Sequence, residues 1–181
     1  AIEFVKLNKG WNAEPNSPDE KISIEDADLT LEFTVNPWAH DGFEENERVR
    51  LVFRSCSQYR LGPTNDEGWY AGQCRFGQLA PDWGEFYSLR GEADEVLEAT
   101  DWVPIEKGTG GNHYLFYLRD CTFECKADTY EFNESTVNQG LKPTGTTLRS
   151  DRRLSPGVIP KSERSLCDHA ECHVSATKPA L

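Results

Sequence analysis

Hydrophobic and polar residues alternate with a period of two along several stretches of the first 135 residues. Ile22 and Ile24 alternate with polar neighbours, and the same pattern returns from Leu29 to Val35. Side chains of a β-strand point alternately to its two faces, so both runs predict strands. The turn-forming residues 25–28 lie between them, and the two runs therefore predict a β-hairpin.

A third alternating run spans residues 48–53 and predicts another strand with an apolar inner face. Arg48 and Arg50 fall on its outward face. Because cross-strand neighbours on one face of a sheet interact, we expect Glu32 of the hairpin to lie opposite these two arginines.

The most apolar run, residues 113–125, predicts one central strand. It is apolar on both faces as far as Leu118, which is typical of a strand that is covered on both sides. On such a strand Cys121 and Cys125 would lie about 13 Å apart, too far for a disulfide. A pairing of Cys56 with Cys74 remains open, with reduced thiols as the favoured state of a cytosolic protein.

These patterns predict one mainly β domain over residues 1–135. We expect a single antiparallel β-sandwich or partly open barrel of about seven to nine strands. No amphipathic helix of convincing length is present in the pattern.

Composition changes close to residue 135. All 5 Trp, 6 Tyr and 9 Phe residues precede this point, and the first 135 residues carry 12 Lys and Arg against 27 Asp and Glu, a net charge of −15. Residues 136–181 carry 7 against 4, a net charge of +3. Without hydrophobic residues to offset the entropy of ordering, residues 136–181 are predicted to form a flexible basic tail.

The acidic domain argues against a nucleic-acid partner, since binding DNA requires Lys and Arg to neutralise phosphates. It favours a basic protein partner. No run approaches the roughly 20 apolar residues of a membrane span, so no membrane association is expected. The first residues lack the apolar core of a signal peptide, and we expect a cytoplasmic protein, with secretion after signal removal as the alternative.

The first candidate binding site is the segment 65–69. Asp66, Glu67 and Trp69 lie beside a glycine and could contact a cation, a sugar or a protein partner. The structural alternative is a turn in which Asn and Asp cap their own backbone and Gly68 adopts a positive φ, and this alternative is favoured.

The second candidate site combines Arg119, Asp120 and Glu124. On a single strand Arg119 would share an apolar face with Leu115 and Phe123, and a buried arginine there would need a carboxylate partner. We favour an inward ion pair that holds a loop against the sheet over a reactive cleft. Further along the same reasoning, Trp83 and Glu85 are predicted to share one face of a strand that could form a binding surface.

Metal and cofactor motifs are weak or missing. The segment 167–173 contains two Cys and two His residues, but zinc sites usually space their ligands as two separated pairs, so a solvated tail is favoured and no metal is predicted. The glycine-rich segment 107–112 precedes a strand rather than a helix, so it does not match a phosphate-binding loop, and no cofactor is predicted. His40 and His113 have no nucleophile or carboxylate at a diagnostic spacing.

The sequence therefore favours a non-enzymatic acidic protein that docks a basic protein partner, for which a bacterial immunity-type protein is one concrete form. The first alternative is a β module that binds a carbohydrate or another small ligand, suggested by Trp38, Trp69, Trp83 and Trp102. The second alternative is a hydrolase that uses a carboxylate and arginine cleft. A row of exposed tryptophans would favour the first alternative, a deep pocket with convergent carboxylates the second, and a shallow acidic surface the basic partner.

Overall fold

The computed structural model describes residues 1–93 and 98–134, which form ten β-strands and one short helix. The strands are β1 Glu3–Lys6, β2 Lys21–Glu25, β3 Asp28–Thr34, β4 Arg48–Arg54, β5 Gln58–Gly62, β6 Phe86–Arg90, β7 Val103–Pro104, β8 Asn112–Tyr117, β9 Thr122–Ala127 and β10 Thr129–Glu134. The helix α1 spans Asp66–Tyr70. In this part of the chain, no helix has the length and apolarity needed to cross a membrane. The predicted tail, 136–181, and the segment 167–173 lie outside the described residues.

The strands form two antiparallel sheets. The larger sheet has the order β1-β6-β8-β9-β5-β7, and the smaller has the order β10-β4-β3-β2. The prediction of an antiparallel β-sandwich is confirmed, with ten described strands where about seven to nine were expected. The additional strand reflects the two-residue β7, which pairs only with the start of β5.

The main core lies between the two sheets and is almost entirely aromatic and aliphatic. Trp11 closes one end of it by stacking on Phe132, with ring centroids 4.4 Å apart. The side chains that are completely buried there come from both sheets: Leu29, Leu31, Phe33, Leu51, Phe53, Phe86, Phe116 and Phe123. Burial of this apolar surface provides the main stabilisation of the sandwich.

The predicted hairpin and the outward ion pairs are confirmed. Strands β2 and β3 pair in register around the two-residue loop 26–27, and Glu32 of β3 lies directly opposite Arg50 of β4. The Glu32 carboxylate accepts hydrogen bonds from Arg48 Nε at 2.7 Å and from Arg50 Nε at 2.9 Å.

The apolar run 113–125 folds as a hairpin, so the prediction of one strand is wrong. Strands β8 and β9 pair with each other, and the chain reverses between them at residues 118–121, where Leu118 N donates to Cys121 O at 2.9 Å. The polar pair Arg119 and Asp120 lies in this turn, and Cys121 precedes β9 rather than sharing a strand with Cys125. Both strands lie at the centre of the large sheet and are buried on both faces, as expected from their apolar pattern.

A second apolar core covers the outer face of the large sheet. Tyr87, Leu115 and Tyr117 point to this face and pack against Cys74 and Phe76 of the segment between α1 and β6. Cys56 lies in the main core and Cys74 in the second core, on opposite faces of the large sheet, so these two cysteines do not pair. All four described cysteines are free and buried.

Candidate functional site

The sequence-predicted site residues fall into two separate places. Glu124 lies on β9, inside a buried group of charged side chains on the outer face of the large sheet. The other seven residues lie at one end of the sandwich, in α1, in the turn before β6 and in the β8–β9 turn: Asp66, Glu67, Trp69, Trp83, Glu85, Arg119 and Asp120.

Glu124 is the centre of a buried ion cluster. Its side chain is 0% exposed and accepts hydrogen bonds from Arg60 Nη1 at 2.5 Å and from Arg75 Nη1. His113 Nε2 lies 2.7 Å from the second carboxylate oxygen. Arg60 on β5 is the direct cross-strand neighbour of Glu124, whereas Arg75 comes from the segment that covers the sheet. Three donors thus compensate the desolvation of this carboxylate.

The cluster extends to Asp101 and Trp102. Arg60 donates to both oxygens of Asp101, from Nε at 2.7 Å and from Nη2 at 3.0 Å. These hydrogen bonds lower the pKa of the Asp101 carboxyl below its ordinary value of 3.8. The Trp102 ring lies 5.6 Å from His113 and 5.4 Å from the Lys126 ammonium. An aromatic ring and several ion pairs therefore close the outer side of β8 and β9.

The role of the cluster is to hold covering segments against the sheet. Arg75 belongs to the segment after α1, and Asp101 precedes β7, so both of these segments are attached to β5 and β9 by charge-assisted hydrogen bonds. An inward ion pair that fixes a loop was expected, but the arginines are Arg60 and Arg75 rather than Arg119. The Glu124 carboxylate is saturated and inaccessible, so it cannot reach a substrate in this arrangement.

Arg119 does not point into the core, and the prediction that it shares an apolar strand face is wrong. Its side chain is 45% exposed in the β8–β9 turn, donates to the Asn16 carbonyl and lies 4.0 Å from the Asp120 carboxylate. The parity argument fails because the chain reverses at this point. Within the described residues, no hydrogen bond or ion pair joins Glu124 to Arg119 or Asp120.

Trp83 and Glu85 lie in a turn, so the prediction of a shared strand face is also wrong. Gly84 between them has a φ of +78°, which ends the extended conformation before β6. Glu85 Oε2 accepts from Lys6 Nζ at 2.8 Å and from Asn8 Nδ2 at 2.5 Å, and Trp83 packs against the second core. Both side chains are thus engaged within the fold.

The segment 65–69 begins a helix instead of a simple turn. Asn65 is the N-cap of α1, and its Oδ1 accepts from Gly68 N at 2.9 Å. Gly68 does not have the expected positive φ. Glycine is needed there because a Cβ would lie 2.2 Å from Thr64 Cγ2. Trp69 is half-buried against the second core.

Five loops converge on the end of the sandwich that contains the β8–β9 turn. Asp66 N donates to Arg119 O at 2.9 Å, and Thr34 N donates to Pro18 O at 2.7 Å, so α1, the β8–β9 turn and the segment before β2 are joined. The pairs Gly62 with Thr122 and Phe86 with Phe116 place the end of β5 and the start of β6 beside the same turn. We call residues 7–20, 35–47, 63–67, 82–85 and 118–121 the acidic end.

The acidic end has a strong excess of negative charge. Its two cations are Lys9 and Arg119. Its twelve carboxylates come from all five loops: Glu14, Asp19, Glu20, Asp41, Glu44, Glu45, Glu47, Asp66, Glu67, Asp82, Glu85 and Asp120. Because so few cations lie among them, the negative potentials of these groups add over this surface.

Trp38 projects from the acidic end and is the most exposed large hydrophobic residue among those described. Its side chain is 78% exposed. The loop around it is anchored, since Asn36 Oδ1 accepts from Trp38 N at 3.1 Å and Phe43 packs against the main core. Sequence reasoning did not place Trp38 in the site. The available signal was its position beside four carboxylates in residues 38–47.

The five tryptophans do not form an exposed row. Trp11 is buried, and Trp69, Trp83 and Trp102 are half-buried, which leaves Trp38 as the one exposed member. In residues 1–93 and 98–134, no group of three His, Cys, Asp or Glu side chains is arranged to hold a metal ion.

Comparison of the chain with protein-family models, with curated proteins and with solved structures finds no match. The functional argument therefore depends on the residues and their geometry alone.

Proposed function

We propose that the protein is a non-enzymatic binding protein that docks a basic protein partner through its acidic end. One observation supports this proposal above the others: five loops bring twelve carboxylates and two cations together around the exposed Trp38. A surface of this kind attracts a positively charged protein over a distance and then offers an aromatic anchor for close contact.

The physical argument separates attraction from anchoring. Excess charge accelerates the encounter with an oppositely charged partner, and this acceleration is screened by salt over about 8–10 Å. Binding free energy is usually concentrated in a few side chains, and tryptophan and arginine are the most frequent of these. A lysine or arginine of the partner that packs on the face of Trp38 would combine both contributions.

A bacterial immunity-type protein, which neutralises a basic toxin, is one form that this function could take. The compact aromatic core supports the role of a rigid docking scaffold, because a surface carried on rigid strands loses little entropy on binding. The buried and saturated Glu124 cluster supports a binding protein over the hydrolase alternative.

The first experiment identifies the partner by affinity capture and mass spectrometry and then measures association kinetics at several salt concentrations. We expect a fast on-rate at low salt that falls steeply as salt is added, and we expect DNA not to be retained. An on-rate that does not depend on salt would contradict electrostatic docking. Saturable sugar binding that quenches tryptophan fluorescence would instead favour the carbohydrate alternative.

Matched variants then locate the docking surface. The pairs Asp66→Asn with Glu67→Gln, and Asp41→Asn with Glu45→Gln, should each slow association without changing the thermal melt, because each removes two charges from the acidic end. Trp38→Ala should accelerate dissociation. The control removes two exposed carboxylates from the opposite end, Glu106→Gln with Asp128→Asn, and should leave the on-rate much less affected.

A further inference from the structure

The free edge of the small sheet is the strand β2, and its sequence is complementary to itself. In the described part of the chain, β2 pairs with β3 on one side and ends the sheet on the other. Its five residues read Lys-Ile-Ser-Ile-Glu. When this strand is placed antiparallel to a copy of itself, Lys21 lies opposite Glu25, Ile22 opposite Ile24 and Ser23 opposite Ser23.

The backbone groups of β2 are in the right register for this pairing. Loop 26–27 has two residues, Asp26 has a φ of +54°, and Glu25 faces Asp28 across the loop. In such a hairpin the closing pair exchanges hydrogen bonds, and the pairs then alternate along the strands. Glu25, Ser23 and Lys21 therefore direct their backbone groups to β3, whereas Ile22 and Ile24 direct theirs to the free edge.

The side chains of β2 also fit a second copy. Lys21 and Glu25 have no ion-pair partner among the described residues, and Ile24 is 44% exposed although it faces the same side as the core residues. Antiparallel pairing around a two-fold axis at Ser23 would place Lys21 beside Glu25 of the partner twice. It would also bring Ile22 of each copy against Ile24 of the other.

We infer that the protein forms a symmetric homodimer through antiparallel pairing of β2 with β2 of a second copy. The two small sheets then form one eight-stranded sheet, and Ile22 and Ile24 exchange backbone hydrogen bonds across the two-fold axis. This inference is independent of the proposed function, because β2 lies outside the acidic end.

The antiparallel arrangement also limits the electrostatic repulsion between two acidic chains. It turns the two copies end to end, so their acidic ends point in opposite directions. The nearest like charges across the seam are Glu20 and Asp26, and Asp26 is paired with Lys107 at 2.7 Å. A weak, concentration-dependent dimer is expected, because a five-residue edge buries less than the roughly 1,200 Å² of typical stable interfaces.

Charge variants test the register directly. Lys21→Glu alone places four carboxylates along the seam, and Glu25→Lys alone places four ammonium groups there. Each should weaken dimerisation by about tenfold or more, since two attractive pairs become two repulsive ones. The double variant Lys21→Glu with Glu25→Lys restores both attractive pairs, and so does an equimolar mixture of the two single variants.

Sedimentation velocity from micromolar to millimolar protein concentration provides the measurement, with thermal melts to show that each variant is folded. Ile24→Pro offers a second route, because its amide faces the free edge and its loss leaves the β3 ladder intact. Dimerisation of the wild type, its loss in both single variants and its return in their mixture would support the inference. A wild type that stays monomeric throughout, or a dimer that ignores the charge variants, would overturn it.

Discussion

Glu32 and Glu124 each accept hydrogen bonds from two arginines, but their surroundings differ. Glu32 lies on the outward face of the small sheet with its side chain 23% exposed, beside Arg48 and Arg50. Glu124 lies under covering segments on the large sheet, where it is completely buried with Arg60 and Arg75. The same ionic arrangement thus occurs once in contact with water and once away from it.

This difference determines what each group contributes. In contact with water, an ion pair contributes about 0–1 kcal/mol, because solvent screens the charges and the long side chains lose entropy. Away from water, each ion carries a desolvation cost of several kcal/mol, so a buried group is stable only while all its partners are present. The exposed group is therefore dispensable for the fold, whereas the buried group is expected to be sensitive to any single loss.

The largest expected effect comes from Glu124→Gln. It leaves the Arg60 and Arg75 guanidinium groups buried without their shared carboxylate, and we expect a loss of about 3–5 kcal/mol in the free energy of unfolding. The matched control Glu32→Gln should cost at most about 1 kcal/mol. Urea denaturation of both variants provides the comparison, and equal midpoints would contradict the difference between the two clusters.

The next effect separates three arginines. Arg60→Ala should destabilise the protein by about 2 kcal/mol, because it removes two charge-assisted interactions while Arg75 and His113 still serve Glu124. Arg48→Ala and Arg119→Ala should each cost at most about 1 kcal/mol, since both side chains are in contact with solvent. Denaturation midpoints rank the three variants, and a larger loss for Arg119→Ala than for Arg60→Ala would contradict the described turn.

A smaller effect appears in the pH dependence of the exposed group. Hydrogen bonds from Arg48, and then from Arg50, lower the pKa of Glu32 below its ordinary value of 4.5. Because the pKa in the folded state is lower than in the unfolded state, the stabilisation by Glu32 is fully present above pH 4.5 and is lost as the pH falls through the folded-state pKa. The stability difference between the wild type and Glu32→Gln should therefore shrink below pH 4.5, and denaturation at a series of pH values measures it.

The smallest effect concerns salt. Raising ionic strength should reduce the stability difference between the wild type and Glu32→Gln, because salt screens solvent-exposed charges. The difference between the wild type and Glu124→Gln should change much less, since counterions do not reach a buried pair. Denaturation at low and high salt tests this contrast, and equal salt sensitivity of both differences would show that the Glu124 cluster is open to solvent.

Local patterns predicted the small sheet well. The alternation in residues 22–35 and 48–53 placed the hairpin, its turn and the pairing of Glu32 with Arg48 and Arg50. These features depend on neighbours that are close in the chain or directly opposite in a regular ladder, so a period of two contains the necessary information. The acidic character of the first 135 residues follows from composition alone.

The large sheet was predicted less well because its run 113–125 is apolar on both faces. A continuous apolar run gives no alternation from which to locate a reversal, and the Arg119 and Asp120 pair was taken as part of a strand. The assignment of Arg119 to the inner face and of Trp83 and Glu85 to a strand failed for this reason and because Gly84 turns the chain.

Sequence alone determined the β-sandwich class, the acidic surface and the exposed ion pairs of the small sheet. Only the tertiary structure decided which charges are buried and which loops share one end. Arg75 and Glu124 are 49 positions apart, and His113 meets Glu124 across a hairpin that the pattern concealed. Contacts between residues that are distant in the chain depend on how sheets and covering segments pack, and a local periodicity contains no record of that packing.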